Sequence, residues 1–189
     1  PKQVSLTLKE QNYLLNVAKA SLAFYYRETE PVTLADANAV KLFNYNRGIT
    51  IALFGMKPSR ILSIESYIGY MVFKNTIPVA YGGGWMFGDR CKIGLNIYPP
   101  FRKGESGIIF AEVLRLYHQF YKQQRFMVMP YQFGKGNKEG LQSAAFWFYY
   151  KLGFRPATAA LQQLALDEVA KKQAVKKYRT PFAVLQKFT

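Results

Sequence analysis

Residues 93–154 constrain the fold more than any other part of this chain. Two short apolar runs, at 93–97 and 126–129, are strand-length and too short for helices. Between them Ile109, Val113, Leu116 and Phe120 recur three and four apart, the spacing that turns one stripe of a helix toward a core. The separation of the two runs suits the crossover that parallel strands require. The segment is therefore predicted as strand, loop, helix, strand, continued by a strand reading to Phe133, a turn at GKGN and a second helix to Lys151. Such a βαβ unit places the chain in the α/β class.

The residues before this unit read as a meander. SYIGYMVFK, IPVAYGGGWMF and CKIGLNI are separated by turn residues at Asn75-Thr76 and Gly88-Asp89, so three antiparallel strands are expected. Gly82, Gly83 and Gly84 interrupt the middle strand, which implies either a bulge or the close approach of another backbone or a ligand. Nearer the start, Thr7 and Glu10 have the spacing of a capping box for a helix over about 8–26. Pro31 is expected to end that region, and Ile49 to Phe54 to form a short buried strand. The stretch between them carries no clear periodicity. Beyond Pro156, Leu161, Leu164, Ala165 and Val169 share one face of a last long helix.

Composition narrows the function classes. The chain has 189 residues, half of them hydrophobic, so it can bury a real core and is not disordered. Lys, Arg, Asn or Gly interrupts every apolar run before it reaches membrane-span length. The first apolar residues alternate with Lys9, Glu10, Gln11 and Asn12, unlike a signal peptide, and a cytoplasmic location is expected. One cysteine, Cys91, excludes an internal disulfide and a Cys-cluster zinc site, and the few carboxylates argue against a metal centre. Cys91 reads as a small buried hydrophobe rather than a thiol paired with the only histidine, His118. The formal charge of +15 favours an anionic partner, whether nucleic acid or a phosphate-bearing cofactor. The local concentration KKQAVKKYR at 171–179 reads as a solvated helix face.

FRKGESG at 101–107 and AFWFYYKLGF at 145–154 together resemble the GNAT N-acetyltransferase family. The first is similar to that family's Q/R-x-x-G-x-G/A pyrophosphate loop, and the second to its A-x-x-x-Y-x-K-L-G-F ending. Ala145, Tyr149, Lys151, Leu152, Gly153 and Phe154 match the ending, whereas Glu105 stands where the loop has a central glycine, and Gln142 where an asparagine opens the helix. The resemblance covers roughly 67–155. It implies a three-layer α/β/α domain over 1–189, with a mixed, mostly antiparallel sheet and a core at about 61–157. Helical extensions are expected at 1–60 and 158–189.

The same resemblance implies an acyl-CoA-dependent N-acyltransferase, with acetyl-CoA or another acyl-CoA as cofactor and a small-molecule or peptide amine as acceptor. Ile97 and Tyr98 lie where a splayed strand would offer amides to the thioester and pantetheine. The amides of Gly104, Glu105, Ser106 and Gly107, at a helix start, favour an anion such as pyrophosphate, and Arg102 and Lys103 add charge. Glu105 opposes this unless its carboxylate turns to solvent or caps the helix. Tyr149 matches the tyrosine that protonates the departing thiolate, against which stands simple packing among its aromatic neighbours. Glu65 and Asp89 are the candidate bases, each also readable as a surface carboxylate. Two other readings stay open: a GNAT-like scaffold that binds without acyl transfer, and a basic nucleic-acid-binding domain.

Overall fold

The computed structural model describes residues 1–102 and 104–189. They pack as two compact units, Pro1–Met127 and Val128–Thr189, where the sequence reading has one domain.

The first unit begins with β1 (Lys2–Val4) and α1 (Leu8–Phe24). Thr7 and Glu10 form the expected capping box, with the Thr7 amide 2.7 Å from Glu10 Oε2. Pro31 does not simply end the helical region. It lies in the first turn of a short helix, α2 (Glu30–Thr33), where its missing N–H costs nothing. Next come β2 (Ala35–Asn44), β3 (Ile49–Met56), β4 (Ser66–Lys74), β5 (Ile77–Phe87) and β6 (Arg90–Ile97). After α3 (Ser106–Tyr121), β7 (Arg125–Met127) closes the unit. Residues 1–60 are thus not a helical extension, since they supply β1, β2 and β3 to the central sheet.

The fold is α/β. The strands lie in sequence order, all antiparallel except for the β6–β7 pair that α3 connects, as the crossover spacing required. Pleating sends Ala52, Phe54, Met71 and Phe73 to one face, where they pack on Leu15, Ala18 and Leu22 of α1 and Val32 of α2. Tyr70 and Phe43 belong to the other face and meet α3 through Tyr117 and Phe120, at ring separations of 6.2 and 5.2 Å. This gives unit 1 its α/β/α layering.

The glycine run of β5 keeps its register with both neighbours, so it is not a bulge. The β4–β5 register shift falls at Val79 instead. Each glycine lies under a side chain: Gly82 under Tyr70, Gly83 under Tyr67, and Gly84 under Tyr117 and Cys91. Tyr70 and Tyr117 use that space to donate to the backbone, to Gly94 O at 2.5 Å and Ile68 O at 2.6 Å. Cys91 is fully buried, and burial pushes its thiol up to about 12, consistent with a core residue.

The second unit starts with a 3-10 turn at Pro130–Phe133, not the strand expected to run to Phe133. Pairing with β6 ends at Met127, and Pro130, with a fixed φ and no N–H to give a ladder, opens the turn that follows. The helix expected to Lys151 is two pieces, α4 (Lys138–Gln142) and α5 (Ala145–Lys151), broken where Ala144 takes a left-handed φ of 52°. Asn137 caps α4 by accepting from the Gly140 amide at 3.0 Å. Gly153, at φ 99°, follows α5 as its position after KLG requires. Two further helices, α6 (Ala159–Ala174) and α7 (Phe182–Lys187), complete the C-terminal region. Their core joins Phe146, Trp147, Ala165, Leu185 and Phe188. No helix among the described residues is long and apolar enough to cross a membrane.

Candidate functional site

The residues predicted to hold a cofactor lie along the end of β6 and the approach to α3. β7 pairs with β6 only as far as Lys92, so 93–97 has β5 as its one neighbouring strand in unit 1. Ladder parity then decides which amides are committed. Tyr98 donates to Val79 O at 3.0 Å, so Asn96 and Gly94, of the same parity, also turn their backbone groups toward β5. Leu95 and Ile97 turn theirs the other way, onto the edge that β7 leaves. Ile97 therefore fits the expectation of an edge amide. Tyr98 does not, because its N–H completes the ladder.

The Tyr98 side chain has a structural task as well. It is buried in a stack between Tyr25, at 4.2 Å, and Tyr81, at 5.2 Å, which ties the end of α1 to the sheet. Its hydroxyl has no hydrogen-bond partner among the described residues, and burial raises its pKa further above the usual phenol range.

From Tyr98 the chain makes a 3-10 turn, Pro99–Phe101, and reaches α3 through 102–105. Arg102 Nε donates to Ile97 O at 3.3 Å, and Ser106 Oγ to Arg102 O at 3.4 Å, which folds the loop back toward the β6 edge. Lys103 lies outside the described residues. Glu105 occupies the cap position of α3, but its side chain caps nothing there. It reaches instead to Arg47 Nη2 at 2.6 Å and Lys74 Nζ at 2.5 Å. The Lys74 bond is the largest effect on its carboxyl; desolvation opposes it, and the Arg47 and Lys74 charges add to it, so the pKa lies below the usual glutamate range. The sequence offers no sign of this arrangement, because the β2–β3 turn and the end of β4 meet α3 only in the folded unit.

Both glycines of the loop lack an internal reason. A Cβ at Gly107 would meet nothing within 4 Å, and one at Gly104 only Phe101 O at 3.6 Å. Neither has the positive φ that favours glycine. The amino end of α3 thus combines an uncapped helix start with open space beside Gly107.

The candidate bases behave differently. Asp89, in the β5–β6 turn, takes Arg125 in a bidentate pair at 2.9 and 2.6 Å, while its carbonyl accepts the Gln124 and Arg125 amides. The Arg125 bonds hold its carboxyl below the usual aspartate range. Asp89 fastens β7 to the hairpin and is poorly suited to take a proton. Glu65 stands half-buried just before β4. Tyr149 belongs to the second unit, on α5, and is 5% exposed. Its hydroxyl donates to Gln132 Oε1 at 3.2 Å, and burial raises its pKa. The partner is a side chain on the turn after Met129, and Gln132, unlike Tyr149, is a residue that sequence reasoning missed.

No group of three or more His, Cys, Asp or Glu side chains is placed to hold a metal among the described residues. Comparison of the chain with protein-family models, with curated proteins and with solved structures finds no match in any of the three.

Proposed function

We propose that the chain is an acyl-CoA-dependent N-acyltransferase of GNAT type, in which the β6 edge and the start of α3 bind the acyl-CoA. One observation carries the reading: an edge amide at Ile97 ends the strand that leads into an uncapped helix start, whose glycines packing does not require. In this reading Ile97 N–H donates to the pantetheine arm or the thioester carbonyl. The amides at 104–107 and the α3 dipole receive the pyrophosphate, assisted by Arg102. Glu105 does not oppose the anion, because Arg47 and Lys74 take its charge. Transfer itself forms a C–N bond to a neutral amine and breaks the C–S bond, with one proton leaving the amine and one reaching the thiolate. Tyr149 is the donor that the resemblance names, and Glu65 the remaining candidate base.

Calorimetric titration of acetyl-CoA into the full chain tests the site, with micromolar binding expected. Absence of heat up to millimolar acetyl-CoA would remove the proposal. A second reading, binding without acyl transfer, draws on two observations: the Tyr98 amide is committed to Val79, and the Tyr149 hydroxyl is held by Gln132 in a buried setting. Tight acetyl-CoA binding with no product from a panel of amines would favour it.

A further inference from the structure

A second candidate site lies wholly in the second unit and does not depend on the acyl-CoA reading. It is a half-open pocket of about 390 Å³ between α4–α5, α6 and the segment leading into α7. Its lining combines apolar side chains, Leu141, Trp147, Phe182 and Leu185, with two basic ones, Lys172 and Arg179. No carboxylate among the described residues lines it.

A polar network runs from the pocket lining to the buried Glu168. Trp147 Nε1 donates to Thr180 Oγ1 at 3.0 Å, and the Thr180 hydroxyl in turn donates to Glu168. Glu168 is fully buried and also accepts from Tyr178, at 3.0 Å, and Lys171, at 2.8 Å. Two of its three partners, Tyr178 and Thr180, lie beyond the end of α6, so Glu168 fixes the segment that carries Arg179. Lys172 is fixed from the front. Its ammonium lies 3.7 Å from the centroid of the Trp147 ring, which sets the charge against the indole rather than in open solvent. Burial, and then the charge of Lys151, pull the Lys172 pKa down.

We propose that this pocket binds a small organic anion with a flat apolar body, its charged group between Lys172 and Arg179 and its body against Trp147 and Phe182. The volume falls in the range of small-molecule sites, and an apolar lining with a few convergent polar groups is their usual composition. A neutral ligand would leave the two cations without a counter-charge. A simple inorganic anion would leave the apolar wall in water.

The test uses the full chain and a matched pair of probes, 1-naphthaleneacetate and its neutral amide. Only Trp85 and Trp147 give indole N–H resonances, so a two-dimensional ¹H–¹⁵N spectrum reports the site directly. The acid should shift the Trp147 resonance and leave Trp85 in place, and should bind at least tenfold tighter than the amide. Lys172→Gln combined with Arg179→Gln should bring the acid down to the affinity of the amide, whereas Lys172→Arg with native Arg179 should retain the preference. Equal affinity of acid and amide for the unaltered protein overturns the proposal. So does a shift at Trp85 alone, or no shift at Trp147 at millimolar acid.

Discussion

Replacing Gly82 by alanine should destabilise unit 1 more than the same change at Gly83, although the added methyl is crowded at both. At Gly82 the new Cβ meets the backbone oxygen of Gly94 and lies 2.6 Å from the Tyr70 hydroxyl. Tyr70 is 2% exposed and its hydroxyl is bonded to that same Gly94 oxygen, so neither neighbour can yield without loss. Overpacking of this kind costs about 1–3 kcal/mol, and a buried hydroxyl left without its acceptor about 1–3 more. Together these amount to roughly 2–6 kcal/mol, a large share of the ~5–15 kcal/mol that usually holds a domain together. At Gly83 the obstacle is the outer end of the Tyr67 ring, on a face where Tyr67 is only half-buried beside an exposed Trp85. A ring end can swing aside, so about 1–2 kcal/mol is expected there. Urea denaturation followed by fluorescence and far-ultraviolet circular dichroism gives both values. A Gly82 variant within about 0.5 kcal/mol of the unaltered protein, or one less affected than the Gly83 variant, would refute the account of the glycine run.

Gly107→Ala should stabilise α3 by up to about 1 kcal/mol, since nothing opposes the methyl, while weakening acetyl-CoA binding about tenfold or more; unchanged affinity would place the cofactor elsewhere. Tyr149→Phe keeps the ring packing and removes the proton, so amine acylation should fall about 100-fold or more, and full turnover would show that the hydroxyl is not the acid. Glu168 has a folded pKa below its ordinary value of 4.5: desolvation, the largest single effect, raises it, but the bonds from Lys171, Tyr178 and Thr180 together outweigh it. A depressed carboxyl adds stability above the unfolded pKa and loses it as pH falls through the folded one, so the Trp147 indole resonance should broaden or shift below about pH 4.5. Glu168→Gln should abolish that acid dependence, and an unaltered titration in the variant would refute the network. Retention on RNA that falls steeply with salt is the outcome expected if the +15 charge serves nucleic acid, and salt-insensitive retention counts against it.

Local chemistry made several elements legible. The Thr7–Glu10 box, the turns at Asn75-Thr76 and Gly88-Asp89, and the apolar stripe of α3 all depend on residues close in the chain, and the structure places each as expected. Asn75 and Thr76 take positive φ values of 48° and 71°, as a tight hairpin requires. β2 was not legible, because its burial alternates only in part and its register breaks between Ala35 and Val40. The strand expected to reach Phe133 ends at Met127, and Pro130, which has no donor to give a ladder, starts a 3-10 turn in its place. At the candidate site, the glycines and the strand-to-helix order could be read directly, while the fate of each polar group could not.

That division has a physical cause. The order of residues by itself determines which segments can be strands or helices, because side-chain periodicity, caps and turn residues act within a few positions of one another. It also sets the net charge and the strand, loop and helix order that aims the amides of 104–107. Only the tertiary structure decides where charges and hydroxyls end up. Glu105 looked like an obstacle to an anion until Arg47 and Lys74, from the β2–β3 turn and the end of β4, were brought beside it. Asp89 looked like a base until Arg125 took both its oxygens, and Tyr98 offered an amide until parity gave it to Val79. Each of these outcomes depends on partners distant in the sequence, and on the loss of water around them, which no local pattern encodes.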